Sequence, residues 1–325
     1  MKVLPLKKRG VETSRLVLGC MPFGGEWNKD PITDQNIKDS EAALDAALEI
    51  GINLLDTANV YRWGKSETII GKILKDRPAL REQVIIQSKC GIRPGENGLP
   101  TRFDFSKEHI IEAAEASLKR LDLDYMDILL LHRPDPLMDP EEVAEAFGKL
   151  KAQGKVRYFG VSNMNVSQMQ FLQSALPDEL AVNQLEISLS HLDWLDQTIH
   201  VNQKAGQNVH FGEGLLEYCQ LENVQIQAWG PLSQGIFSGR DVSDRPETVQ
   251  NTAKLVKQMA DEKGTTPEAI VLGWIMKHPA AIQPVIGSIK PDRIKACQDG
   301  EKQAELMTRE EWYSLYTSSR GKPMP

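Results

Sequence analysis

Short apolar runs and longer amphipathic stretches take turns along the chain. The apolar runs fall at 16–25, 52–59, 84–91, 126–132, 156–163, 181–188, 224–232 and 282–288. Several are continuous rather than alternating, as strands covered on both faces should be. Helical periodicity fills the gaps. Within 107–123 the apolar positions are Ile111, Ala114, Leu118 and Leu121, and within 139–154 they are Val143, Ala146, Phe147 and Leu150. Asp139 reads as an N-cap with Pro140 at the first helical position, Glu142 closing a capping box and Gly154 stopping the helix. Asn165 with Gln168, and Thr266 before Pro267, mark two further starts.

Strand–helix alternation with short connections predicts a parallel sheet. Eight such units predict an α/β fold, the (β/α)8 TIM barrel, whose usual ~250 residues leave roughly 75 over. The excess is expected in three places. Residues 2–16 read as an N-terminal hairpin around Arg9-Gly10. Residues 190–214 form a long polar segment after the sixth run. A C-terminal tail ends in a helix from Thr308 to about Ser318, with Glu311 closing its capping box. A doubly wound open sheet is the alternative, but no G-x-G-x-x-G follows the first run and no Walker loop occurs. With no Pro/Gly/Ser linker, residues 1–325 read as one barrel domain.

Charge and cysteine content narrow the class. The 38 Lys+Arg and 45 Asp+Glu give a net charge of −7 with the signs scattered, which argues against a nucleic-acid partner. No apolar run approaches the ~20 residues a spanning helix needs, so no membrane is expected. The basic first ten residues are followed by no apolar stretch, unlike a signal peptide. Cys20, Cys90, Cys219 and Cys297 lie far apart without metal-ligand spacing and read as free thiols in a reducing, cytoplasmic setting.

Barrel active sites sit at the C-terminal ends of the strands. There the chain carries Asp56 with Tyr61 just beyond it, Ser88-Lys89, His132, Ser162-Asn163, Gln184, Trp229 and Ser288. Singly, each has a bland reading. Asp56 could cap a turn, Tyr61 could be a surface aromatic and His132 a satisfied core imidazole. Lys89 resists dismissal, because an unpaired ammonium half buried behind VIIQS is costly. Together they suit carbonyl reduction, in which hydride arriving at carbon leaves negative charge on oxygen and calls for a proton donor. A phenol of pKa about 10 needs its anion favoured, and an ammonium beside it could lower that value by ~3 units for ~4 kcal/mol. Tyr61 is thus the expected donor and Lys89 its activator. Asp56 would hold Lys89 charged, and His132 would bind the substrate oxygen. The hydride must come from a cofactor. Trp229 offers a flat face for a nicotinamide, and Ser162, Asn163 and Gln184 offer groups for a carboxamide. Ser288, Lys290 and Arg293 offer a phosphate site.

These residues resemble the aldo-keto reductase family over about 10–300. The most specific stretches are LDTANVYRWGKSE (55–67) and DILLLHRPDP (127–136), supported by KVRYFGVSN, AVNQLE and AWGPLSQG. The resemblance implies Tyr61, Lys89, Asp56 and His132 as the catalytic tetrad, and Ser162, Asn163 and Gln184 at the carboxamide. It implies Trp229 on the nicotinamide and the Gly230, Pro231, Leu232, Gln234 and Gly235 loop at the pyrophosphate. Gly287, Ser288, Lys290 and Arg293 would surround a 2′-phosphate, favouring NADPH as cofactor. The chain departs from the family where many members have Tyr at Trp229, Lys at Gly287 and a Glu-Asn pair at Ala296-Cys297. Phe23, Trp27 and Trp63 are expected to line an apolar pocket for a small-molecule carbonyl substrate. His191, His200 and His210 lack metal spacing, and 190–214 reads as a solvated loop. Two alternatives remain at this level: a nicotinamide-binding regulatory subunit similar to the potassium-channel β subunits, and a Schiff-base aldolase using Lys89 as nucleophile with Asp56 and Tyr61 as acid–base pair.

Overall fold

The computed structural model describes residues 2–96 and 98–325. Its strands are β1 (Val17–Gly19), β2 (Leu54–Asp56), β3 (Ile85–Cys90), β4 (Met126–Leu131), β5 (Val156–Ser162), β6 (Val182–Glu186), β7 (Gln225–Trp229) and β8 (Gln283–Ile286). All pair in parallel with their sequence neighbours, and β8 returns to β1, so the sheet closes into a barrel. Each strand lies inside one of the eight apolar runs, and helices wrap the outside. The register sets Asp56 opposite Gln87 and aligns Gln184, Gln227 and Gln283 across neighbouring strands.

Two apolar layers hold this arrangement. The larger lies between strands and helices and includes Ile73, Ala114, Leu118, Val143 and Phe147, the last stacked on Phe159 at 4.0 Å. The smaller, with Leu6, Val17, Leu54, Ile128, Leu130, Val182 and Val285, fills one part of the barrel interior. At ~25 cal/mol per Å², full burial of each such aliphatic side chain contributes about 1.5–3 kcal/mol.

The expected N-terminal hairpin is not formed. Pro5–Lys8 make one helical turn, Gly10 turns the chain at φ +80°, and Leu6 and Val11 enter the interior cluster. Pro5 fits the first helical position because it has no N–H to lose, and Leu4 and Leu6 are covered by the fold. The helix after β4 spans Pro140–Ala152 with Asp139 as N-cap, but Glu142 does not close the box. Asp139 accepts from Glu141 N, and Glu142 Oε2 accepts from Lys107 N, a contact with another helix. The caps at Asn165, Thr266 and Thr308 form as the sequence implied.

The 190–214 segment is more ordered than a solvated loop. Asp193–Ile199 is a helix, Trp194 is fully buried against Trp274 and His278, and His200 is 9% exposed beside Arg320. His191 and His210, near its ends, are exposed as expected of a solvated segment. A short antiparallel pair, Ile92–Arg93 with Arg102–Phe103, follows β3 and had no sequence signal. No helix among the described residues is long and apolar enough to cross a membrane.

Candidate active site

Lys89 is fully buried near the end of β3, and its ammonium uses all three of its N–H groups. It donates to Asp56 Oδ2 at 2.7 Å, to the Thr57 carbonyl at 2.9 Å and to Tyr61 Oη at 3.0 Å. A buried ion pair is tolerated only when its remaining groups are satisfied, and here they are. Because an ammonium has no acceptor, Tyr61 Oη must accept this bond, which leaves the phenol's own hydrogen for another partner. No described residue takes it, and Tyr61 lines a cavity of about 770 Å³.

The loop that carries Tyr61 is strained and braced. Arg62, Trp63 and Gly64 run at φ +51°, +60° and +85°, a left-handed stretch that two non-glycine residues adopt only when their surroundings hold them. Arg62 Nε donates to the Met21 carbonyl, and Ser66 Oγ donates to the Cys20 carbonyl. Buried Glu67 accepts from both Ser88 Oγ and Arg120 Nε, fixing the following helix to β3.

Charges within the tetrad have definite signs. Burial pulls Lys89 down, but Asp56 and Tyr61 outweigh it and the ammonium ends above its usual value. Burial pushes Tyr61 up, and the partial counter-pull of Lys89 does not reverse this. The expected lowering of the phenol is therefore corrected: desolvation of the phenolate exceeds what one shared ammonium returns. Burial first, then Lys89 and Arg133, hold His132 well below the ordinary imidazole range, so its ring is neutral. That ring meets Tyr61 edge-on, with centroids 5.7 Å apart.

The same cavity gathers the remaining polar residues. Ser162 Oγ donates to the Gln184 carbonyl and accepts from Asn163 Nδ2, while Trp229 Nε1 donates to Asn163 Oδ1. Gly230, Pro231, Leu232, Gln234, Gly235, Gly287, Ser288, Lys290 and Arg293 line the cavity as well. Arg293 pairs with Glu268 Oε1 at 3.4 Å and donates to Ser238 Oγ.

A model of the aldo/keto reductase family matches residues 15–306. The chain belongs to the aldo-keto reductase family. A 6-dehydroglucose reductase of Agrobacterium fabrum is 34% identical over 317 residues, covering 96% of each chain. The oxidoreductase YdhF of Escherichia coli is 33% identical, covering 99% of each. A solved aldo-keto reductase from Klebsiella pneumoniae in complex with NADPH has TM-score 0.70 and 24% identity, over 96% of this chain and 92% of that one. That last likeness is one of fold. An aldo-keto reductase of this kind is an oxidoreductase that works with a nicotinamide cofactor.

The residues present suit such a cofactor. Ser233 Oγ is buried in the cavity wall without a hydrogen-bond partner, and Gln184 Oε1 accepts from no described residue. A Cβ added at Gly230 would meet nothing within 4 Å, and one at Gly287 only the Gly19 carbonyl at 3.9 Å. Ser233 and Gln234 stand at φ +48° and +56°, backbone strain of the kind found where a loop is shaped for a ligand.

The aromatic pocket is where sequence reasoning fails. Phe23 is fully buried in the outer core, turned inward by its N–H bond to the Cys20 carbonyl. Trp27 and Trp63 lie outside the cavity lining, each half exposed beneath a cation, Arg62 over Trp27 at 5.1 Å and Lys29 over Trp63 at 4.7 Å. Met21, Pro22 and Arg133 line the mouth instead. Arg133 directly follows His132, and that adjacency was the available signal for it. Its guanidinium lies 5.7 Å from the Trp229 ring centroid. No cluster of three His, Cys, Asp or Glu able to hold a metal occurs among the described residues.

Proposed function

We propose that the protein reduces aldehyde or ketone carbonyls to alcohols with NADPH, Tyr61 delivering the proton. The observation that carries this reading is the saturation of Lys89. With all three of its hydrogens placed on Asp56, Thr57 and Tyr61, the phenolic hydrogen is free to point into the cavity. Bound along the 230–235 loop with its ring on Trp229, NADPH would supply the hydride. Neutral His132 donates a hydrogen bond to the carbonyl oxygen, and Tyr61 passes its proton to the oxygen as charge develops there. The positive charge of Lys89 steadies the phenolate left behind until solvent reprotonates it. Gln184 Oε1 would accept from the carboxamide. Ser162 and Asn163, bonded to one another, shape that end of the site. Ser288, Lys290 and Arg293 would meet the 2′-phosphate, which is the basis for preferring NADPH.

The aldolase alternative fits less well, because a Schiff-base lysine must present a neutral amine, whereas Lys89 is fully buried, ion-paired and raised. A binding-only subunit has no use for an aligned Tyr61–Lys89 pair. The test mixes purified protein and NADPH with aromatic aldehydes, dicarbonyls, quinones and a sugar-derived aldehyde, the last because of the Agrobacterium relative. Loss of nicotinamide absorbance is expected with at least one. NADPH binding without turnover of any would favour a regulatory role, and a borohydride-trapped adduct on Lys89 would favour the aldolase.

A further inference from the structure

We infer that Gln87 and Gln227 are positioning residues of the proton-transfer site, members of a line of buried amides that crosses the barrel and fixes Asp56 against Lys89. The inference rests on the proton-transfer roles proposed above for Tyr61 and Lys89.

Gln87, Gln184, Gln227 and Gln283 are all buried inside the barrel. Asp56 Oδ1 accepts from Gln87 Nε2 at 2.6 Å and from Gln184 Nε2 at 3.0 Å, while its other oxygen holds Lys89. The same two amide nitrogens donate to Gln227 Oε1, at 2.7 and 3.0 Å. Gln227 Nε2 donates onward to Gln87 Oε1 and Gln283 Oε1, both at 3.1 Å. Gln283 Nε2 ends the line on Thr13 Oγ1 at 3.0 Å and the Ser14 carbonyl at 2.6 Å.

The ends of this line decide its sense. A carboxylate paired with an ammonium only accepts, and so does a backbone carbonyl. Gln87 and Gln184 must therefore turn their NH2 groups toward Asp56, which leaves Gln227 to offer them its oxygen. Gln227 must then donate to Gln283, and Gln283 to Ser14. Flipping any one amide sets oxygen against oxygen somewhere in the line. Four side chains that each have two orientations are thus held in one.

Branched aliphatic residues usually fill a barrel interior, and Leu54, Ile128, Leu130 and Val285 do so in the apolar cluster beside this line. Packing alone would be served as well by leucine at the four amide positions, without the desolvation that buried amides carry. What amides add is direction. With Oδ1 held from two sides, Oδ2 is presented to Lys89, and Lys89 in turn directs its third hydrogen at Tyr61. Gln184 has a second part, since its nitrogen sits on Asp56 while its oxygen is open to the cavity. A carboxamide there and the tetrad would share one side chain.

A double-mutant cycle tests this. kcat for carbonyl reduction is measured at saturating NADPH and aldehyde in the parent, in Gln87→Leu, in Gln227→Leu, and in both again on an Asp56→Asn background. Losing a charge-assisted bond at Asp56 should lower kcat about tenfold in Gln87→Leu, with a few-fold loss in Gln227→Leu. NADPH affinity, read by protein fluorescence, should stay within about twofold, a split between binding and turnover that general damage would not give. On Asp56→Asn both glutamine effects should shrink to less than about twofold, because the group they act through has changed. Effects that persist undiminished on that background, or folded single variants with parental kcat, overturn the inference.

A second readout needs no turnover and no leucine variant. The side-chain amide resonances of the four glutamines should all shift in Asp56→Asn, out to Gln283. Shifts confined to Gln87 and Gln184 overturn the inference. A parent that turns over no carbonyl would fail the proposed reaction instead, leaving the resonance test of the amide line intact.

Discussion

Tyr61 and Lys89 share one hydrogen bond, and its direction is fixed because only one of them can accept it. Since burial raises the phenol above its ordinary value near 10, it stays protonated across the neutral range. The reaction proposed above consumes the protonated form in reduction, so its rate should be flat from about pH 6 to 9. Alcohol oxidation with NADP+ needs the phenolate and should climb with pH over the same range. An oxidation rate that levels off near pH 8 would show that the phenol ionises lower than its burial implies. Arg293 gives a second residue-level prediction. Arg293→Ala should weaken NADPH roughly tenfold, the worth of one charge-assisted hydrogen bond, and leave NADH nearly unchanged. Equal weakening of both, by fluorescence titration, would mean that no 2′-phosphate contact forms there. Asp56, Tyr61, Lys89 and His132 were legible in the sequence because they interrupt or follow apolar runs where such runs end. Phe23, Trp27 and Trp63 were not, because an aromatic side chain does not say which way its loop folds back. Gln87 and Gln227 were missed because each lies two residues before a strand-end candidate, Lys89 and Trp229, and nothing local says that amides from opposite strands meet inside the barrel.

The elements were readable where their signals are local. Thr308 with Glu311, and Asn165 with Gln168, form capping boxes because each needs only residues three apart. Glu142 was lost to a tertiary partner, the N–H of Lys107. The segment at 2–16 took a helical turn because the interior needed Leu6 and Val11, a demand that only the closed barrel makes. The C-terminal helix Arg309–Arg320 is tied down reciprocally. Trp274 Nε1 donates to the Trp312 carbonyl and Trp312 Nε1 to the Trp274 carbonyl, each at 3.0 Å, with the rings stacked 5.3 Å apart. Trp312→Ala should cost about 3 kcal/mol of stability, seen as a lower denaturant midpoint with kcat little changed. An unchanged midpoint would mean that this helix contributes nothing to the cooperative unit.

At the scale of the whole molecule, eight apolar runs sufficed to imply closure, because parallel strands covered on both faces have few other arrangements. The same burial gives the protein an acid sensitivity. Burial, and secondarily Lys2, hold His278 at about 4, its Nδ1 accepting from Ala280 N. A folded value below the unfolded one means that this contribution is complete above about pH 6.5 and lost as pH falls toward 4. Acidifying from pH 7 to 5 should therefore cost on the order of 2 kcal/mol through this group, measured by denaturant unfolding. His278→Asn, which keeps an acceptor, should flatten that dependence, and an unaltered pH dependence would exonerate His278. Proton delivery from the cavity wall is what distinguishes this enzyme from a mere nucleotide binder, and Tyr61→Phe removes the proposed donor alone. With a carbonyl that the parent reduces, the variant should bind NADPH as tightly as the parent and lose at least about a hundredfold in kcat, within the range of general acid catalysis. A Tyr61→Phe protein that reduces the same carbonyl at the parental rate would contradict it.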